Sequence, residues 1–263
     1  MQRLALPHHE SGGHWVKVLS YNIQVGIPSN RYRHYLTNSW KHVLPFHGRK
    51  ANLQNIGRFL SDFDIVGLQE VDAGSLRTIY MNQTSFLARE AGFPHWHQTT
   101  NRDLSHIAKH SMGLLSRFPS AHSVGHRLPS RIPGRGALEV HMGRGKQPLV
   151  VLTLHLSLGR NDRMRQLEYI SDVARRYEHV IVMGDLNCAH DSDEIAMLIN
   201  EAGLCEPLHT EQTYPSWQPL QSFDHILVSP SLEVRDVQVY RRFYSDQLPV
   251  CAQIKVPDEV HLL

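Results

Sequence analysis

The chain has little of what marks a secreted, disulfide-stapled or membrane protein. Only 3 of its 263 residues are cysteine. Cys188, Cys205 and Cys251 show no paired zinc-type spacing, and their odd number argues against a closed disulfide framework, so reduced thiols are expected. No apolar run approaches the roughly 18 residues of a membrane-spanning helix, and residues 1–15 hold no apolar signal-peptide core. A cytoplasmic protein is the default expectation. An excess of one charge is also lacking: 27 Lys and Arg against 25 Asp and Glu leave +2. That excess does not by itself imply nucleic acid, because a phosphate-binding face needs a concentrated patch rather than a global surplus. With no linker, internal repeat or low-complexity tract, a single domain over 1–263 with a core of about 16–256 is expected.

What is present reads as an ordinary globular protein, 41% hydrophobic and 20% charged. Short apolar runs rich in β-branched residues occur at 15–21, 64–68, 112–115, 137–141, 149–154, 179–183, 225–228 and 250–254, with the length and composition of strands. Helix-like stretches lie at 49–61, 83–91, 162–177 and 191–202. In the third, Met164, Leu167, Ile170, Val173 and Ala174 recur at helical spacing. Several strand candidates fall between 112 and 154 without a convincing helix among them. This order favours an α+β, layered arrangement with mixed sheets over a doubly wound parallel sheet. The stretch 25–48, rich in His, Arg, Tyr, Trp and Pro, is long for a plain connection and reads either as a functional loop or as a surface insertion without a role.

Polar residues recur at the ends of the apolar runs, where a core supports them and an open edge exposes them. Asn22 follows Val18 to Tyr21, Glu70 follows Ile65 to Gln69, His155 follows Val150 to Leu154, and Asp185 and Asn187 follow Val180 to Gly184. Asp224 precedes Ile226 to Val228, and Asp246 precedes the last run. Singly, an Asp or Asn at such a place is more often a turn or helix cap than a catalyst. Six such positions in this order carry more weight.

The tetrapeptides Ser20-Tyr21-Asn22-Ile23 and Phe223-Asp224-His225-Ile226, with Gln69-Glu70-Val71, Gly184-Asp185-Leu186-Asn187 and Ser245-Asp246-Gln247-Leu248-Pro249-Val250, resemble the successive motifs of the endonuclease/exonuclease/phosphatase superfamily. Leu114 to Pro119 and Thr153-Leu154-His155-Leu156 add to the likeness. The resemblance implies a four-layer α/β/β/α sandwich of two packed mixed β-sheets flanked by helices. It also implies hydrolysis of phosphoesters with magnesium, or manganese as a substitute. In that reading Glu70 is the first metal ligand, with Asn22 and Asp246 close by. Asp185 orients or deprotonates the attacking water, Asn187 donates to the phosphate, and His155 faces a nonbridging oxygen or helps the leaving group. Arg117, Arg135 and Arg160 are candidates for substrate contact.

The last motif departs from the family pattern, which has histidine where this chain has Gln247. In the family Asp224 would hold that histidine by a carboxylate–imidazole bond, and Gln247 is the partner expected here. A glutamine amide hydrogen-bonds but does not titrate. Three explanations stand open: a substitution introduced to trap substrate, a naturally attenuated or inactive homologue, or recruitment of another histidine such as His225 or His110. Basic and aromatic runs at 31–35, 40–42, 47–50 and 127–135 are either candidates for a nucleic-acid-binding surface or solvated faces, and nucleic acid, DNA first, is the expected substrate. The alternatives are a phosphatase of a small phosphorylated molecule or lipid head group, and a nucleic-acid-binding homologue without catalysis.

Overall fold

A computed structural model describes residues 12–28, 48–131, 133–207 and 211–263. Most of the irregular stretch 25–48, with the basic runs at 31–35 and 40–42, lies outside them. Among the described residues eleven strands form two sheets. The first has the order β10 (Glu233–Val239), β11 (Val250–Pro257), β1 (Gly13–Asn22), β2 (Ile65–Asp72), β4 (Lys109–Ser116), β3 (His95–Asp103). The second runs β5 (Ser120–Arg127), β6 (Gly136–Met142), β7 (Leu149–His155), β8 (His179–Asp185), β9 (Asp224–Val228). Both are mixed: β1 pairs with β2, and β7 with β8, in parallel, while the remaining pairs are antiparallel.

Alternation of side chains along the strands builds three apolar layers. Val16, Val18, Ile65, Met112 and Leu114 of the first sheet meet Leu138, Val140, Val151, Ile181 and Met183 of the second between the sheets. Leu19, Tyr21, Val66 and Leu68 point the other way, onto Leu53, Ile56, Phe86 and Leu87. Those four belong to α1 (Gly48–Leu60) and α2 (Gln83–Ala91). On the far side Val150, Leu152, Val180 and Val182 pack on Leu167, Ile170, Ile195 and Leu198. The latter lie on α3 (Arg160–Ala174) and α4 (Asp193–Ala202). The result is the four-layer α/β/β/α sandwich. At Gly67 the sheets leave no room for a side chain, since a β-carbon would sit 2.7 Å from Met183 Cε and 2.9 Å from Thr153 Oγ1.

Three strands were not evident as apolar runs: β3, β5 and β10. Each forms a sheet edge and is largely exposed along its length, so nothing requires the apolar alternation by which a half-buried strand is recognised. Among the described residues no helix is long and apolar enough to cross a membrane.

Candidate active site

Chain direction collects the polar strand ends. The parallel pairs β1–β2 and β7–β8 bring Asn22, Glu70, His155 and Asp185 to one edge of the sandwich as C-terminal strand ends. The antiparallel β9 and β11 reach the same edge by their starts. Register places His155 opposite Asp185 and Asp185 opposite Asp224, so the three sit side by side across three strands. Ser20 pairs with Val250, which sets Asp246 and Gln247 just beyond the end of β1.

Two backbone features aim the acids. The register of β2 against β4 shifts between Leu68 and Val71, and Glu70 within that bulge has φ +53°, a left-handed conformation that turns its carboxylate out of the strand alternation. Gly184 has φ +149°, and a β-carbon there would lie 2.0 Å from the Leu154 carbonyl oxygen. Glycine before Asp185 is therefore a steric requirement of the β7–β8 pairing, in which Leu154 is the register partner of Gly184.

Asp185 is the hub. Its Oδ2 accepts from Gln247 Nε2 at 2.8 Å and from Asn22 Nδ2 at 3.1 Å, and its Oδ1 accepts from the Asn187 backbone N–H at 3.1 Å. His155 Nε2 lies 3.6 Å from Asp185 Oδ2 and 3.8 Å from Glu70 Oε1. Burial raises the Asp185 carboxyl, the Glu70 charge adds to the rise, and the Gln247 and Asn22 bonds partly offset it. The Asp246 carboxyl is pushed up to about 8 by burial, then by the negative charges of Glu70 and Asp185. His155 is held neutral, well below the usual imidazole value, by burial and by Arg135, whose guanidinium touches its Nε2.

Gln247 departs from the expected pairing. Its amide donates to Asp185, not to Asp224, and neither Asp224 oxygen nor Gln247 Oε1 has a well-formed hydrogen bond. Asp224 is fully buried, and burial followed by the charge of Asp185 raises its carboxyl well above the ordinary range, with Thr213 close enough to offset part of this. Asn187 has φ +53° and donates its side-chain NH2 to Leu156 O at 2.9 Å, which leaves one amide hydrogen free to turn toward the edge.

The arginines divide. Arg135 and His155 line a cleft with Glu70, Asn101, Arg102, His110 and Ser111. An adjoining cleft shares Arg135 and adds Arg131, Ser157 and Arg160. Arg160 also pairs with Asp193 at 2.9 Å on the open side. Arg117 does not join them. It follows β4, whose Ser116 pairs with Ile65 at the start of β2, the opposite end from Glu70. There it donates to Phe63 O and Ser61 O and lies over the Phe93 ring, so it tethers the loop after α1. His225 is not a stand-in for the missing histidine either, since its ring nitrogens are taken by Glu206 Oε1 at 2.6 Å and Cys188 O at 2.8 Å. His110 does line the cleft, its imidazole lowered to about 4 by burial and by Arg77 and Arg102. Arg102 was not singled out in the sequence because β3, which carries it, has no apolar signal.

A four-layer sandwich with carboxylates, amides and a histidine gathered at converging strand ends is the layout of a phosphoester-cleaving protein. The family model described as the endonuclease/exonuclease/phosphatase family matches residues 19–246, and the chain belongs to that family. No match was found among curated proteins. Among solved structures, the endonuclease/exonuclease/phosphatase protein of Beutenbergia cavernae superposes with a TM-score of 0.71 at 20% identity, over 92% of this chain and 72% of that one. A mannosyl-6-phosphatase of Bacteroides thetaiotaomicron gives 0.67 at 17% identity, over 91% and 99%. Sphingomyelinase C of Streptomyces griseocarneus gives 0.63 at 18%, over 91% and 99%. At these identities the likeness is one of fold.

Proposed function

We propose that the chain is a magnesium-dependent phosphodiesterase acting on DNA, with a rate held down by Gln247. The observation that carries this reading is the gathering of Glu70, Asp185 and Asp246 at one edge, where burial first, and then the charges of Glu70 and Asp185, push Asp246 up to about 8. Carboxylates are gathered so closely where a cation is to be held. The donors are hard oxygens, which suit magnesium, with manganese as a substitute. Glu70 and Asp246 would hold the ion with the Asn22 amide oxygen, which already accepts from the Gln24 N–H at 3.1 Å and keeps a second lone pair. Bound there, the ion supplies neutralisation of charge on the phosphoryl oxygens.

The chain's own groups do the rest. Asp185, fixed by three donors, orients the attacking water. Neutral His155 and the Arg135 guanidinium against it face the phosphate, and Arg135 places a fixed positive charge where negative charge grows in the transition state. The free Asn187 amide hydrogen donates to the same group. Gln247 holds Asp185 in place but passes no proton, and loss of general acid–base help costs roughly 10²–10⁴-fold in rate.

DNA as substrate is supported by the shape of the cationic lining. Arg102, Arg135, Arg131 and Arg160 follow two adjoining clefts joined at Arg135, a track for successive phosphates rather than a cage for one. Incubation with supercoiled plasmid and magnesium, beside a parallel assay of phosphate release from sugar phosphates, tests the reading. Slow nicking abolished by chelation and by salt is expected. Phosphate release without nicking would assign a small-molecule phosphatase instead, and plasmid binding with neither reaction, retained in Gln247→His, would assign a non-catalytic binder.

A further inference from the structure

The strongest feature outside this edge lies at the other end of β8. His179 is 1% exposed, and its Nδ1 is 2.9 Å from Ser231 Oγ. Ser231 Oγ donates to Glu178 O at 2.7 Å, and Ser229 Oγ, 3.0 Å away and itself accepting from the Val180 N–H, can donate to it, so in this arrangement Ser231 accepts from His179. In that arrangement the His179 proton sits on Nδ1 and a lone pair is left on Nε2. Nε2 is buried without a hydrogen-bond donor, and it faces Glu259 Oε1 at 3.2 Å. A lone pair set against a carboxylate oxygen is repulsive unless a cation or proton lies between them. Glu178 completes the group: one ligand atom from each of Glu178, His179 and Glu259 falls within 4.8 Å of the others. Two ligand atoms on one tetrahedral ion stand ~3.4 Å apart, so a small closing of the exposed glutamates is sufficient.

We propose that Glu178, His179 and Glu259 form a structural divalent-metal site of zinc type. One imidazole nitrogen and two carboxylate oxygens suit zinc better than magnesium, which seldom takes nitrogen. The Ser231–Glu178 carbonyl chain is the outer support that metal-binding histidines use to set ring and tautomer. The site lies six residues along β8 from Asp185, about 20 Å at strand spacing, and is separate from the phosphoesterase edge. Its structural effect is to pin the turn Asp258–Val260 to the start of β8. The end of the chain is already tied to the β6–β7 connection by Arg144 N–H to His261 O at 3.1 Å and Gly145 N–H to Val260 O at 3.0 Å.

The test is zinc titration of the metal-stripped full chain, following melting temperature and chelator competition, on the native sequence and on Glu259→Gln and Glu178→Gln. Both substitutions fall on exposed side chains and keep shape, so folding is not at issue. A zinc-dependent rise in melting temperature is expected, with affinity weakened about tenfold or more in each variant and magnesium-dependent hydrolysis unchanged. A zinc-soaked crystal should show an anomalous peak among the three side chains. The proposal is overturned if zinc affects native and variant chains equally, which would place it elsewhere. It is also overturned if Glu259→Gln only removes acid-side stability without altering zinc affinity, which would make the contact a protonated histidine–glutamate pair.

Discussion

Glu70 shows how much one residue's backbone decides. Its left-handed φ of +53° within a β-bulge is unfavourable for a side chain with a β-carbon and persists where the surroundings hold it. The proposed site needs its charge, not its shape. Glu70→Gln is therefore expected to fold normally and to lose about 10²–10³-fold of magnesium-dependent phosphodiester cleavage, measured as initial rate against magnesium concentration. Unchanged rate and metal dependence would remove Glu70 from the metal site. The identity of this residue was readable from Gln69-Glu70-Val71, but its bulge was not, because a bulge follows from pairing with β4. The partner of Gln247 was equally hidden. The motif pointed to Asp224, while the folded chain gives the amide to Asp185.

At the scale of elements, strand ends position the site and two local devices hold them. Gly184→Ala would set a β-carbon against the Leu154 carbonyl of the paired strand β7, so a loss of about 2–4 kcal/mol is expected by chemical denaturation. A neutral result would mean that β8 can shift without strain. On the outer face of β6, Glu139 accepts from His141 Nε2 at 2.5 Å, His126 Nε2 at 2.9 Å and Tyr177 Oη at 2.9 Å. Burial alone would raise its carboxyl, but these hydrogen bonds and the His126 charge bring it below the ordinary value. A depressed carboxyl contributes stability above its unfolded pKa, about 4.3, and loses it as pH falls through the folded value. Glu139→Gln should thus lower the melting temperature at pH 7, with the gap closing below about pH 4. A gap constant with pH would contradict the ion-paired reading. The buried strands were legible as apolar runs, and the four described α-helices as helix-like stretches between them, to within a few residues. The edge strands β3, β5 and β10 were not, and Arg102 went unnoticed with them.

For the whole molecule, the site depends on two sheets, since Asn22, Glu70, Asp246 and Gln247 come from the first or the segment leading into it, and His155, Asp185 and Asp224 from the second. The order of motifs made this arrangement legible through family resemblance. What sequence order does not carry is which cations meet over the cleft, because Arg135, Arg102 and Arg160 come from distant segments, while Arg117 is drawn to the opposite end by backbone carbonyls near α1. The central claim is an otherwise complete phosphodiesterase site attenuated at one position. Magnesium-dependent cleavage of a generic phosphodiester and of supercoiled plasmid, by the native chain and by Gln247→His side by side, tests it most directly. A rise of about 10²-fold or more in the histidine variant, lost on chelation, is predicted. Equal rates in the two chains, whether both fast or both undetectable, would contradict it.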